Sequence, residues 1–272
     1  SLKATLLTDS LIGAINLTGY VLLHHVMGEA GGARGVWGYQ RGGMGNISES
    51  LARVAERAGV QIRTNRAVES IIIEDNQVAG VVLNNGARVL ADIVVSGADP
   101  KQTFLKLLPD ACILKNLKKR IRKLDFSSAS MKVNIALSGL PSFHCLPGTL
   151  PGPQHRGTIH ISPTVSYILR ALKETKFGMA SGQPILEITI PSVLDDTLAP
   201  AGRHLMNIFV QFTPYHLKNR SWDSYKQTYF RDHVMPAMRQ YIGNIDSIIE
   251  DVEILSPLDL ERRFSLTEGN IF

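Results

Sequence analysis

Four segments in which apolar and polar residues alternate constrain this chain most: "KVNIALSGL" (residues 132–140), "GTIHIS" (157–162), "PILEITIP" (184–191) and "HLMNIFVQF" (204–212). A strand points successive side chains to opposite faces, so a period of two predicts half-buried strands. Four of them close together predict an antiparallel sheet with one face covered. Beyond them, residues 222–242 read as a long amphipathic helix interrupted by Pro236, which lacks an N–H and clashes with the preceding turn. "DSIIEDVEILSPLDLERRF" then predicts a strand and a short helix.

The first half of the chain has a different grammar. Residues 1–35 hold short apolar segments and a glycine-rich tract, "GEAGGARG". Residues 46–58 predict a helix: Asn46 stands at the N-cap position, and Glu49 follows where a capping box requires it. Ile47, Leu51, Val54, Ala55 and Ala58 form one apolar stripe, and Gly59 suits the left-handed residue that ends a helix. Three strand signals follow: "VQIRT", then "AVESIIIED" and "QVAGVVLN" around the Asp75–Asn76 turn pair. "NNG" at 84–86 marks a second hairpin, and Ile93–Val94–Val95 reads as a short strand at the buried centre of a sheet. Residues 101–126 read as helical.

The glycines at 42, 43 and 45, just before the helix, invite comparison with a dinucleotide phosphate loop. That fingerprint needs a strand, G-x-G-x-x-G, a helix, and an acid about 20 residues on. Here Ser48 holds the third glycine position, "GVWGYQR" is a poor strand, and the strand after the helix ends "RTN" without an acid. The pattern favours a tight turn where backbone can approach a neighbour closely.

Composition narrows the functional classes. No apolar run reaches the roughly 18 residues of a membrane span. "SLKATLLTDSLIGAINL" lacks the pattern of a secretory signal, and Cys112 and Cys145 have neither disulfide-framework nor zinc spacing. An intracellular protein is expected: cytoplasmic in a bacterium, and with the mitochondrial matrix open to it in a eukaryote. Much of the net charge of +5 lies in "KNLKKRIRK", Lys115–Lys123. Leu114, Leu117, Ile121 and Leu124 share one face of this helix, and the basic face opposite reads first as solvated surface, with a peripheral membrane or protein contact as its functional reading. No aromatic residues interleave with the cations, so no nucleic-acid partner is expected.

From Gly42 to Pro100 the order of signals is a glycine turn, a helix, "GVQI", "VAGVVLNNG" and "ADIVVSGADP". This stretch resembles the second flavin-domain segment of phytoene desaturase-like FAD oxidoreductases. "PSVLDDTLAPAGRHLMNIFVQFTPY" resembles the substrate domain of that family, and "LERRFSLTEGNIF" the return to its flavin domain. The resemblance covers essentially the whole chain. It implies a mixed α/β (α+β) fold: a partial FAD/NAD(P)-binding-type domain over residues 36–100, and an antiparallel-sheet-and-helix substrate domain over 101–261. Residues 1–35 would add a substrate-domain segment, and 262–272 the start of the return. It also implies that FAD lies against Gly42, Gly43, Val68, Ser96 and Gly97, and that a hydride passes from a C–H bond of an apolar small molecule to flavin. The family's N-terminal G-x-G-x-x-G and its second glycine-rich flavin motif do not occur in this sequence, which therefore reads as a central piece of a longer protein, inactive alone and without bound FAD.

No catalytic constellation stands out. Adjacent His24 and His25 point to opposite faces of a strand and cannot share an ion, and no metal site is expected. His160 and His204 could face a pocket, but satisfied structural histidines are the commoner case. Asp195 and Asp196 adjoin a turn, where aspartate bonds local amides. The alternative to an enzyme is a binding module of the same superfamily, resembling Rab GDP-dissociation inhibitors, with the 28–35 tract and the Lys115 helix serving docking.

Overall fold

The structure is a computed structural model describing residues 2–8, 10, 23, 26–36, 38–126 and 130–271. Along the chain run α1 (Leu2–Thr8), β1 (Glu29–Ala30), β2 (Ala33–Arg34), α2 (Gly45–Arg57), β3 (Val68–Glu74), β4 (Gln77–Leu83) and β5 (Arg88–Leu90). Then come α3 (Lys115–Arg122), β6 (Ser130–Leu137), β7 (Ile159–Ile161), α4 (Val165–Lys176), β8 (Ile185–Thr189) and β9 (His204–Gln211). The last elements are α5 (Trp222–Tyr229), α6 (Met235–Arg239), β10 (Ile249–Leu255) and α7 (Pro257–Phe264). The chain divides into two compact units, one of residues 1–49 and 127–272, the other of residues 50–126.

The first unit is built on a five-stranded antiparallel sheet in the order β10-β6-β9-β8-β7. All four alternating segments supply strands to it. Met131, Val133, Ile135 and Leu137 of β6 face the core with Met206, Ile208 and Val210 of β9 and Leu186 and Ile188 of β8, each fully buried. Trp222 and Tyr229 of α5, Met238 of α6 and Val234 between the two helices cover them. Between those helices, Phe230–Val234 form a π-helical turn, and the Met235 N–H reaches back to the Phe230 carbonyl. Pro236 causes this: it has no N–H to donate, and the widened turn keeps its ring clear of the preceding carbonyl. On the other sheet face, at one end, Ala4 of α1 and Ile168, Ala171 and Leu172 of α4 pack against Ile185 and Phe212. The terminal α7 starts with a capping box: Ser256 Oγ accepts from Asp259 N–H, and Asp259 accepts from Ser256 N–H at 2.9 Å. Asp259 also accepts both bonds from Lys226 Nζ, at 2.9 Å, so one carboxylate joins α7 to α5.

The second unit is a meander, β3-β4-β5, with α3 and short helical turns. Asp75 and Asn76 are both left-handed (φ 49° and 65°), as a two-residue hairpin turn needs, and Gly86 (φ 80°) turns the chain into β5. Gly59 (φ 87°) ends α2 as expected. Its N–H bonds the Glu56 carbonyl and Val60 N–H bonds that of Ala55, the paired bonds of a Schellman motif.

Three expectations fail here for physical reasons, the Asn46 cap and the strands at 60–64 and 93–95, and two apolar stripes are present but little covered. α2 begins at Gly45, so Asn46 lies inside its first turn and donates to the Arg41 carbonyl (2.8 Å) instead of capping. The apolar stripe of α2 is present, but no residue of the helix is buried. Residues 60–64 form no strand, and Ile93 and Val95 are 80% and 90% exposed without strand pairing. A strand of that type is held only by neighbours on both edges, and the described residues supply none. On the Lys115 helix only Ile121 is buried; Leu114 is open to solvent.

Gly80 (φ 143°) sits in β4 where a Cβ would lie 2.2 Å from the Val89 carbonyl oxygen. Gly80→Ala should destabilise the β4–β5 pairing by about 2 kcal/mol or more, read as lost hydrogen-exchange protection of the β3–β5 amides while those of β6 and β9 hold theirs.

Candidate functional site

Two groups of polar residues stand out in the first unit. The first is a clamp on the glycine turn. Gly42 and Gly43 both lie at φ 82°, and the Gly42 N–H donates to Asp195 Oδ2 at 2.7 Å. The other oxygen of Asp195 accepts from the Thr197 hydroxyl (2.6 Å) and Thr197 N–H (3.0 Å). Asp195 is buried. The Thr197 hydroxyl foremost, then the Thr197 and Gly42 amides and the Arg41 charge, hold its carboxyl below the usual carboxylate range against the opposing effect of burial. Asp195 thus makes the local bonds expected of it and also reaches a turn 153 positions away. A Cβ on Gly43 would lie 3.2 Å from Leu198 Cδ2, so the turn packs tightly as well.

The second group is a row across the sheet. Strand register aligns Leu255 of β10, Lys132 of β6, Phe209 of β9, Glu187 of β8 and His160 of β7, on the face opposite the main core. All are half-buried. The Lys132 ammonium stands over the Phe209 ring, 5.1 Å from its centroid. It has no hydrogen bond or ion pair among the described residues. Burial lowers its pKa to about 8, with Glu187 pulling weakly the other way. Glu187 accepts from Gln211 Nε2, while Gln211 Oε1 is buried without a hydrogen-bond partner among the described residues. A desolvated amine beside an aromatic wall is the kind of group found where ligands bind.

The residues that the sequence singled out fall elsewhere. Val68 opens β3, paired with Leu83. The Ser96 hydroxyl bonds Thr103 Oγ1 (2.7 Å) and accepts from Ala98 N–H (3.3 Å), shaping the loop into the helical turn that Asp99 caps. A Cβ on Gly97 would meet nothing within 4 Å, so its backbone is open to close approach. These three belong to the second unit, and Gly42 and Gly43 to the first. The Gly42 N–H is already donated to a carboxylate, so the turn does not fit a pyrophosphate, while the backbone at Gly97 is open. Among the described residues no group of His, Cys, Asp or Glu is arranged to hold a metal, and no helix is long and apolar enough to cross a membrane.

The histidines divide clearly. Buried His155 accepts from Gly152 N–H at Nδ1 (3.2 Å) and donates from Nε2 to the Pro141 carbonyl (2.8 Å), a structural role. His204 pairs with Ser192 Oγ (3.2 Å), and burial, then the neighbouring His155, lowers its pKa. His160 lies in the Lys132 row. His24 and His25 lie outside the described residues. Sequence reading passed over Lys132, although alternation in "MKVNIAL" already places it on the face opposite Val133.

Residues 14–132 match the model of the family described as flavin containing amine oxidoreductase. Over its whole length the chain is 40% identical to pyridine nucleotide-disulfide oxidoreductase domain-containing protein 2 of Rattus norvegicus, covering 48% of that protein. It is 26% identical to phytoene desaturase of Fusarium fujikuroi, over 86% of this chain and 42% of the relative. In fold it resembles the crystal structure of an oxidoreductase from Methanosarcina mazei, with a TM-score of 0.50 at 16% identity, over 79% of this chain and 42% of that one. The chain is thus similar along its length to flavin-dependent oxidoreductases, phytoene desaturases among them. It spans about half the length of the curated relatives it matches.

Two outcomes follow. Asp195 contributes stability above the ordinary carboxylate range, and loses it as pH falls through its lowered folded value. Asp195→Asn should therefore cut exchange protection of the Gly42 amide at neutral pH, and flatten the fall in protection seen on acidification below about pH 4. Lys132 works in the other direction: below its folded pKa of about 8 the charged form is penalised in the folded state. Lys132→Met should raise stability at pH 7 by about 1 kcal/mol, measured by thermal melts. The gain should shrink as pH rises from about 8 towards the unfolded lysine value of about 10.4.

Proposed function

We propose that this chain is the central part of an FAD-dependent oxidoreductase, and that the half-buried sheet face bearing Lys132, Phe209 and Leu205 forms its substrate floor. The observation that carries the reading is that face: in a chain similar to flavin-dependent oxidoreductases, a broad half-buried surface carries one aromatic wall and one amine with no hydrogen bond among the described residues. FAD, when bound, supplies the acceptor for a hydride leaving a substrate C–H bond. This chain's own residues position the substrate and exclude water from it. Phe209 and Leu205 offer apolar surface to its body, while the rigid pairing of β6 with β9 fixes where that body lies.

Toward the cofactor, Gly97 and Ser96 are proposed to let a flat ring system approach backbone, Val68 to contact it through strand backbone groups, and Gly42 and Gly43 to approach it through a turn locked by Asp195. The glycine turn, with its Gly42 N–H donated to Asp195, is not proposed to hold the pyrophosphate, and the chain alone is proposed to be inactive. On the same reading residues 36–100 belong to the cofactor domain and 101–261 to the substrate domain, and the basic face of α3 makes peripheral contacts with a membrane or protein. An intracellular site of action goes with this reading.

The test is the visible absorption spectrum of the intact protein. A two-banded flavin spectrum, bleached by dithionite, is expected. A colourless protein that cannot be reconstituted with FAD would sink the proposal and favour a binding module of the same superfamily.

A further inference from the structure

We propose that the Lys132 row binds an acceptor oxygen, a carbonyl or a carboxylate, on a ligand whose remaining body is apolar. The inference rests on the reading of this face as a substrate floor and narrows it: the ligand is not a plain hydrocarbon.

Lys132 projects from β6, the second strand of the sheet, onto a half-buried face. Its neighbours in register are Leu255 on one side and Phe209 on the other, and neither can accept a hydrogen bond through its side chain. The Phe209 ring, 5.1 Å away, gives the ammonium an electrostatic partner but no acceptor. The nearest carboxylate along the row, Glu187, is on β8, a further strand away, and is held by Gln211. Adjacent strands lie about 4.8 Å apart, so Glu187 springs from backbone about 10 Å from that of Lys132. Gln211 Oε1 is a second polar atom left unsatisfied in the same patch. Buried polar groups are almost always hydrogen-bonded, and an exception asks for an explanation.

Consider what each ligand class would do on arrival. A hydrocarbon laid over Phe209 and Leu205 would strip the remaining water from Lys132 and leave three N–H donors unmet, a large penalty for a charged group. A ligand amine would meet like charge at Lys132, and the carboxylates on this face already accept from protein donors, Glu187 from Gln211 and Glu253 from Asn134 and Arg263. A ligand oxygen would complete the lysine's bonding while its apolar chain covers the ring. Only the third outcome turns the unpaired amine into binding free energy.

The test uses the intact protein and four probes of equal chain length: octanoate, 2-octanone, octylamine and octane. Isothermal titration calorimetry reads binding with or without flavin present. At least one oxygenated probe should bind about tenfold or more tighter than octane and octylamine, as expected for a hydrogen bond to a charged group. That preference should vanish in Lys132→Met and survive in part in Lys132→Arg. Preference for octanoate alone assigns a carboxylate, and for 2-octanone alone a carbonyl; either supports the proposal. Equal binding of all four probes, preference for octylamine or octane, or a preference for oxygen that persists in Lys132→Met overturns it. The absorption spectrum of the same samples separates the two ideas. A flavin-bearing protein without a Lys132-dependent preference defeats this inference alone, and a colourless one defeats the oxidoreductase reading while the calorimetry still decides the acceptor site.

Discussion

The pairing of β6 with β9 is the interaction on which the rest depends. Eight residue pairs stay in register from Ser130–Gln211 to Leu137–His204. Because strand side chains alternate, that one register decides two surfaces at once. It sends Met131, Val133, Ile135 and Leu137 into the core beneath α5 and α6, and it sends Lys132 and Asn134 to the opposite side. A slip by one residue would bury the lysine under Trp222 and expose the core. The apolar face is therefore what holds the polar face in place: the tighter the packing of the first, the more fixed the position of the amine on the second.

The two units differ in how far they satisfy themselves. In the first, helices cover one face of the sheet and one end of the other, and buried polar groups are tied into specific partners, such as Asp195 to Gly42 and Thr197 and His155 to Pro141 and Gly152. In the second, the meander closes its own hydrogen bonds, but α2 buries no side chain, and Ile93 and Val95 stand open.

Most of the first unit was legible in the sequence, because its signals are local. Period-two alternation gave the four strands, Pro236 the interrupted helix, and Gly59 and Asp75–Asn76 the helix end and the hairpin turn. What failed was whatever needed a partner far away. Alternation and apolar runs say that a segment wants to be buried, not whether its neighbours are present, so residues 60–64 and 93–95 read as strands and are not. Asn46 misled because the capping pattern in the sequence cannot see that Gly42 and Gly43 let the helix begin one residue earlier. The candidate site was the least legible part. Lys132 looks like any lysine until register sets Phe209 beside it, and Asp195 looks like a turn residue until folding brings Gly42 to it.

The insertion of residues 50–126 into a unit made of residues 1–49 and 127–272 has a consequence for biogenesis. As the chain leaves the ribosome, the whole β3–β5 meander emerges before β6 exists, and its tight hairpins can close by purely local contacts. The Asp195–Gly42 clamp spans the insertion and belongs to the other extreme: it is a high-contact-order closure that must wait until Thr197 has been synthesised. Vectorial synthesis therefore favours an order in which the meander is finished first and the glycine turn is locked late. In the interval the turn is free to move, and the meander's open apolar residues are the surface most in need of a chaperone.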